Sequence, residues 1–90
     1  KKSAAYKELE HFCQKGHTFS CREISRGKTT TEGKFIYHKK VCDFGDQRWC
    51  YRGAISFKNP RRSTLLKINC TNGHKKSCLE IKKEQQNQTN

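Results

Sequence analysis

The run Phe35-Ile-Tyr-His-Lys-Lys-Val-Cys42-Asp-Phe-Gly45-Asp-Gln-Arg-Trp-Cys50-Tyr-Arg-Gly-Ala-Ile-Ser-Phe57 reads as two strands joined by a turn. Phe35, Tyr37 and Val41, with Ile36 between, lead in to the first cysteine, and Trp49, Tyr51, Ile55 and Phe57 lead out of the second. Aromatic and β-branched residues at this density favour strands. Gly45 sits among polar residues between the cysteines, and glycine accepts a positive φ without steric cost. The spacing predicts a hairpin tied near its tip by Cys42–Cys50. The glycine is offset for a short hairpin turn: the left-handed residue of a three-residue loop comes last, whereas Gly45 lies one place before the centre, so a longer loop is expected.

The same pattern recurs on either side. Cys13-Gln-Lys-Gly16-His17-Thr-Phe-Ser-Cys21 and Cys70-Thr-Asn-Gly73-His74-Lys-Lys-Ser-Cys78 share with the middle segment the form Cys-x2-Gly-x4-Cys, at a period of 29 and then 28 residues. Regular self-similarity of this kind marks repeat architectures, and three units in so short a chain suggest a closed pseudo-threefold globule. Six cysteines permit many connectivities. Pairing within each unit is expected, with pairing across units as the alternative that a peptide linking Cys21 to Cys42 would reveal.

The flanks differ. Ser3 is placed to cap a short N-terminal helix in which Tyr6, Leu9, Phe12 and Cys13 share one face. Thr64 to Asn69 reads as a strand, and 82–90, without an apolar residue, as a flexible tail. The expected fold is a small disulfide-rich α+β domain, β-dominated, with antiparallel hairpins behind that helix.

Composition sets the context. With 90 residues, 31% of them hydrophobic, the chain forms one domain, 1–90, whose core is small. Disulfides commonly make up that shortfall outside the cell. Zinc is the weaker reading: Cys-x-x-Cys is absent, although Cys13, His17, Cys21 and Cys70, His74, Cys78 each space a histidine between cysteines. With no membrane-length apolar run and no signal-like segment, the chain reads as a mature secreted protein, expected to be a monomer. Asn69 and Asn87 head Asn-x-Thr sequons.

Twenty lysines and arginines against eight acids leave a net charge of +12, well beyond the magnitude of about 2–8 that solubility asks for. Anionic membranes, cell walls, heparin-type glycans and nucleic acids all attract such a surface. The cations expected to bind are Lys39, Lys40, Arg48, Arg52, Lys58, Arg61, Arg62, Lys75 and Lys76, several of them interleaved with Trp49 and Tyr51.

Catalysis has less to build on. Motifs for acyl transfer, phosphate cradling and zinc peptidases are missing, and the even cysteine count argues against a free thiol. The opening stretch Lys-Lys-Ser-Ala-Ala-Tyr-Lys-Glu-Leu-Glu-His11 resembles the N-terminal helix of the pancreatic-type ribonucleases. The resemblance ends there, because that family's Cys-Lys-x-x-Asn-Thr-Phe segment and cysteine spacing are absent, so His11 inherits no catalytic role. No catalytic residue, metal or cofactor is expected. The expectation is a secreted cationic effector, toxin or antimicrobial protein that binds an anionic membrane, wall or glycan surface. A cytokine-like ligand with a glycan-binding face and a protein receptor comes next, and a small ribonuclease third.

Overall fold

The computed structural model describes residues 2–88, and the side chains of 5–86. It corrects the expected fold class: among the described residues there are six helices and no strand. They are α1 (Lys2–Gln14), α2 (Thr18–Gly27), α3 (Thr31–Asp43), α4 (Gln47–Ala54), α5 (Arg61–Thr71) and α6 (Lys75–Gln88). The N-terminal helix is present, although already helical one residue ahead of Ser3, and Phe12 is half exposed rather than on its packed face. The strand expected at Thr64 to Asn69 lies inside α5, and the tail expected to fray from Lys82 is helical as far as Gln88.

Each Cys-x2-Gly-x4-Cys segment is the corner of a helix hairpin. Gly16, Gly45 and Gly73 have φ of 97°, 90° and 102°. In each corner two hydrogen bonds close a Schellman turn: the glycine N–H donates three residues back, and the next N–H donates five back. In the first corner these are Gly16 N–H to Cys13 O (3.0 Å) and His17 N–H to Phe12 O (3.0 Å). Asp46 N–H to Val41 O and His74 N–H to Asn69 O repeat the pattern. The residue after each glycine stands at the start of the following helix, and in the second and third corners its side chain caps that helix, whereas His17 makes no such bond. Asp46 Oδ1 accepts from Trp49 N–H (3.3 Å), and His74 Nδ1 accepts from Ser77 N–H (3.2 Å). That is the local reason for the repeat: one glycine ends a helix, its neighbour starts the next, and the flanking cysteines meet. Cys13–Cys21, Cys42–Cys50 and Cys70–Cys78 are the pairs, each within its own unit.

Gly45 isolates the backbone component of this corner. Nothing lies within 4 Å of where a β-carbon would project, so Gly45→Ala should cost only the left-handed conformation, about 1–2 kcal/mol. A urea midpoint unchanged from the parent would show that the corner does not hold Gly45 at positive φ.

The helices that looked like strands have identifiable reasons for helicity. Thr30 caps α3, its Oγ1 accepting from Gly33 N–H at 3.0 Å, and Glu32 and Lys40 complement the dipole at its two ends. Along α3, Phe35 and Cys42 face one core cluster, with Cys50, Ala54, Phe57, Leu65 and Leu66. Tyr37 and Val41 face the other, with Cys13, Cys21 and Ile24. A helix buried on two sides loses the single apolar stripe that marks an amphipathic helix, which is why Phe35-Ile36-Tyr37 imitates a strand.

The units stack in line and do not close on themselves. Packing runs α1 on α2, α2 on α3, α3 on α4, α4 on α5 and α5 on α6, with α3 also against α5. The resulting body measures 52 × 25 × 13 Å, a slab about as thick as two packed helices. The corners are stitched across units. Thr18 Oγ1 donates to Asp46 Oδ2 (2.6 Å), Asn69 Nδ2 to Gln47 O (3.0 Å) and Asn72 Nδ2 to Cys42 O (3.1 Å).

Candidate anion-binding groove

A groove of about 430 Å³ opens between α2, α3 and α4. Each helix contributes residues one turn apart, the spacing that puts side chains on one face. These are Arg22 and Arg26 from α2, Lys34 and His38 from α3, and Trp49, Arg52 and Gly53 from α4. Ser25, Ser56 and Phe57 complete the walls.

Trp49 organises the cations. It is half-buried against the core cluster of Cys13, Cys21, Ile24 and Val41. The Arg22 guanidinium lies 3.2 Å from its ring centroid and the Arg52 guanidinium 4.9 Å, both within cation–π range. Arg22 also reaches Phe19, at 5.5 Å. Among the described residues neither Arg22 nor Arg52 has a carboxylate at ion-pair distance. Arg26 meets Glu23 at 3.4 Å, an exposed pair of little net strength. Lys34 Nζ donates to Arg26 O (3.3 Å), and Ser25 Oγ to Lys34 O (2.8 Å), which ties α2 to α3 beside the cations.

The floor is His38 on Gly53. The His38 ring lies so close to Gly53 that a β-carbon there would fall within it. Its Nε2–H donates to Cys50 O at 3.2 Å. Burial above all holds the imidazole below its ordinary value near 6.5, and the Arg22 charge acts the same way; bonds to the Cys50 and Trp49 carbonyls oppose both.

The nine cations singled out from the sequence do not share one site. Arg52 lies in the groove. Lys39 pairs with Asp43 (2.9 Å) and Lys40 lies in the last turn of α3. Arg48 is exposed on the first turn of α4, and Lys58 in the α4–α5 link. Arg61 pairs with Glu32 (2.8 Å), and Arg62 donates to Phe57 O (3.1 Å) and pairs with Glu84 (3.5 Å). Lys75 and Lys76 are exposed at the start of α6, where the helix dipole is also positive. Arg22, Arg26 and Lys34 were missed because they stand apart in sequence; cations four residues apart count as a cluster only on a helix.

The histidines are dispersed. His11 is exposed, His38 is the groove floor, and His17 and His74 stand at helix starts with Nδ1 on Ser20 Oγ (2.7 Å) and Ser77 Oγ (2.8 Å). The Cys-x3-His-x3-Cys spacing therefore puts a histidine at a helix start between two bridged cysteines. Asn69 is fully buried and donates to Gln47 O and Ser77 Oγ, so its sequon is closed to a glycan in the folded chain. The Asn87 side chain lies outside the described residues.

A second polar cluster braces α1. Lys28 Nζ donates to Tyr6 Oη (3.1 Å), Tyr6 and Tyr37 share a hydrogen bond (3.2 Å), and Tyr37 donates to Glu10 (2.9 Å). The Tyr37 bond, then the Lys28 bond, lower the Tyr6 phenol from its ordinary value near 10. The same bond with Tyr6, then burial, push Tyr37 up. At the corners of the first two units, Phe12 and Phe19 flank His17, and Phe44 lies beside Gly16; all three are about half exposed.

Compared with protein-family models, curated proteins and solved structures, the chain matches none of them.

Proposed function

We propose that this chain is a secreted cationic effector that binds an anionic glycan or cell-wall polymer without catalysis. The observation that carries the reading is the convergence of Arg22, Arg26, Lys34 and Arg52 from three helices on one groove. A net charge of +12 supplies long-range attraction, and the slab offers a long, shallow face to a linear polymer. Three disulfides, and the lack of any helix long and apolar enough to cross a membrane among the described residues, are compatible with an extracellular setting. Arg22 already covers Trp49, so the indole is a poor platform for a nucleic-acid base.

Titration with a heparin-type octasaccharide at several salt concentrations tests this. With four groove cations engaged, log affinity should fall with log salt at a slope of roughly −3, by analogy with other polyelectrolytes. Arg26→Gln with Lys34→Gln should make the slope shallower. No binding at low salt, or a slope unaffected by that pair, would remove the reading. A second reading, attachment to an anionic bilayer, draws on the exposed Phe12, Phe19 and Phe44. Preference for vesicles of anionic lipid over the octasaccharide, lost in Phe19→Ser with Phe44→Ser, would put it first.

A further inference from the structure

We propose that the Arg22, Trp49 and Arg52 cluster in the groove is a receptor for one tetrahedral oxyanion, a sulfate or phosphate ester. The inference rests on the reading of the groove as a polyanion site and names the group the groove recognises.

Two guanidiniums from different helices are centred on one indole, at 3.2 and 4.9 Å. Both arginines line the same groove, and no carboxylate pairs with either among the described residues. Glu23, on the same helix as Arg22, is engaged by Arg26. Two like charges lining one groove repel, and an anion seated in that groove turns the repulsion into two attractions.

The donor set indicates what kind of anion. A guanidinium is a planar fork, and one fork satisfies one carboxylate through two parallel hydrogen bonds. A carboxylate would occupy one arginine and leave the other uncompensated. A sulfate or phosphate ester presents three terminal oxygens in three dimensions, so two forks approaching from different helices can each engage an edge. Trp49, anchored in the core cluster, backs both side chains, so less of their rotamer freedom is lost on binding.

Trp49 is the chain's single tryptophan, so its fluorescence reports on this site alone. The 90-residue chain is titrated with sodium sulfate and with inorganic phosphate, against acetate and chloride at matched ionic strength. A saturable change with sulfate or phosphate, absent with acetate and chloride, is expected. The anion with the tighter response marks the kind of ester the site prefers. Arg22→Gln and Arg52→Gln should each weaken it by at least about tenfold. Arg22→Lys should do nearly the same, because it keeps the charge and loses the fork; Arg61→Gln, outside the groove, should leave it unchanged. Circular dichroism of each variant confirms the helices. An acetate response equal to that of sulfate, or arginine variants that titrate like the parent, overturns the receptor. Octasaccharide binding that is equal in the parent and the Arg22→Gln/Arg52→Gln pair but weakened by Arg26→Gln with Lys34→Gln also overturns it, while leaving a polyanion site at Arg26 and Lys34. A sulfate response without polymer binding does the reverse.

Discussion

Replacing Cys42 and Cys50 together by alanine should destabilise the protein by about 4 kcal/mol, against about 2.5 kcal/mol for the same replacement at Cys70 and Cys78. The common part is entropic. Each bridge closes the same sequence separation of 8 residues, worth about 2.5 kcal/mol in the chain-entropy account. The difference is packing. Cys42 and Cys50 are fully buried in the cluster with Leu65, Leu66, Ala54 and Phe57, and losing two sulfurs there leaves a void that its neighbours fill only in part. Cys70 and Cys78 are half-buried, with solvent on one side. A domain of this size has roughly 5–13 kcal/mol in all, so the middle bridge is a large share of it. Urea unfolding of the two double variants gives the comparison. Equal losses would mean that the buried position of the middle bridge adds nothing to its covalent constraint.

Gly53→Ala should destabilise by about 2–3 kcal/mol where helix propensity alone would stabilise by about 1. Gly53 is inside α4, a place where alanine is normally preferred, but its β-carbon would overlap the His38 ring. The ring cannot retreat without giving up its bond to Cys50 O and its contact with Phe57. His38→Ala removes the obstacle, so in that background Gly53→Ala should be neutral or stabilising. The sign reversal is the test, read as a coupling energy from denaturant unfolding of the four proteins. Penalties of equal size in both backgrounds would assign the glycine some other duty.

His38 also links stability to pH. The folded chain holds its imidazole below the ordinary value near 6.5, so on acidification the unfolded chain takes up the proton first. The contribution is therefore complete above about pH 6.5 and lost as pH falls through the folded value. His38→Ala should flatten that part of the profile, and an unchanged acid limb would place its origin elsewhere.

Much of the covalent frame was legible in the sequence, while the helices were not. The three cysteine pairs, the period and the positive φ at the glycines follow from Cys-x2-Gly-x4-Cys. The off-centre glycine, awkward for a hairpin turn, is at the correct place for a helix end followed at once by the next helix's cap. What hid the helices was burial. α3 is covered on two sides, so its apolar residues run together, and α4 has only 8 residues, too few to display a period. Ile55, counted as a strand residue, is exposed, whereas the small Ala54 is fully buried. The groove was hidden by the same error. Adjacent lysines such as Lys39 and Lys40 look like a patch along the sequence, but successive side chains do not share a face, and on a helix the neighbours are three or four residues apart. Arg22, Lys34 and Arg52, far apart in sequence, converge only once three helices are in place.

Because every bridge is confined to one corner, each cysteine's nearest neighbour in sequence is also its partner. The pairs that oxidise most readily, across the shortest loops, are thus the native ones. An oxidising chain of this design is therefore expected to reach its final connectivity with little reshuffling. Further units could be appended at either end without disturbing the bridges already made.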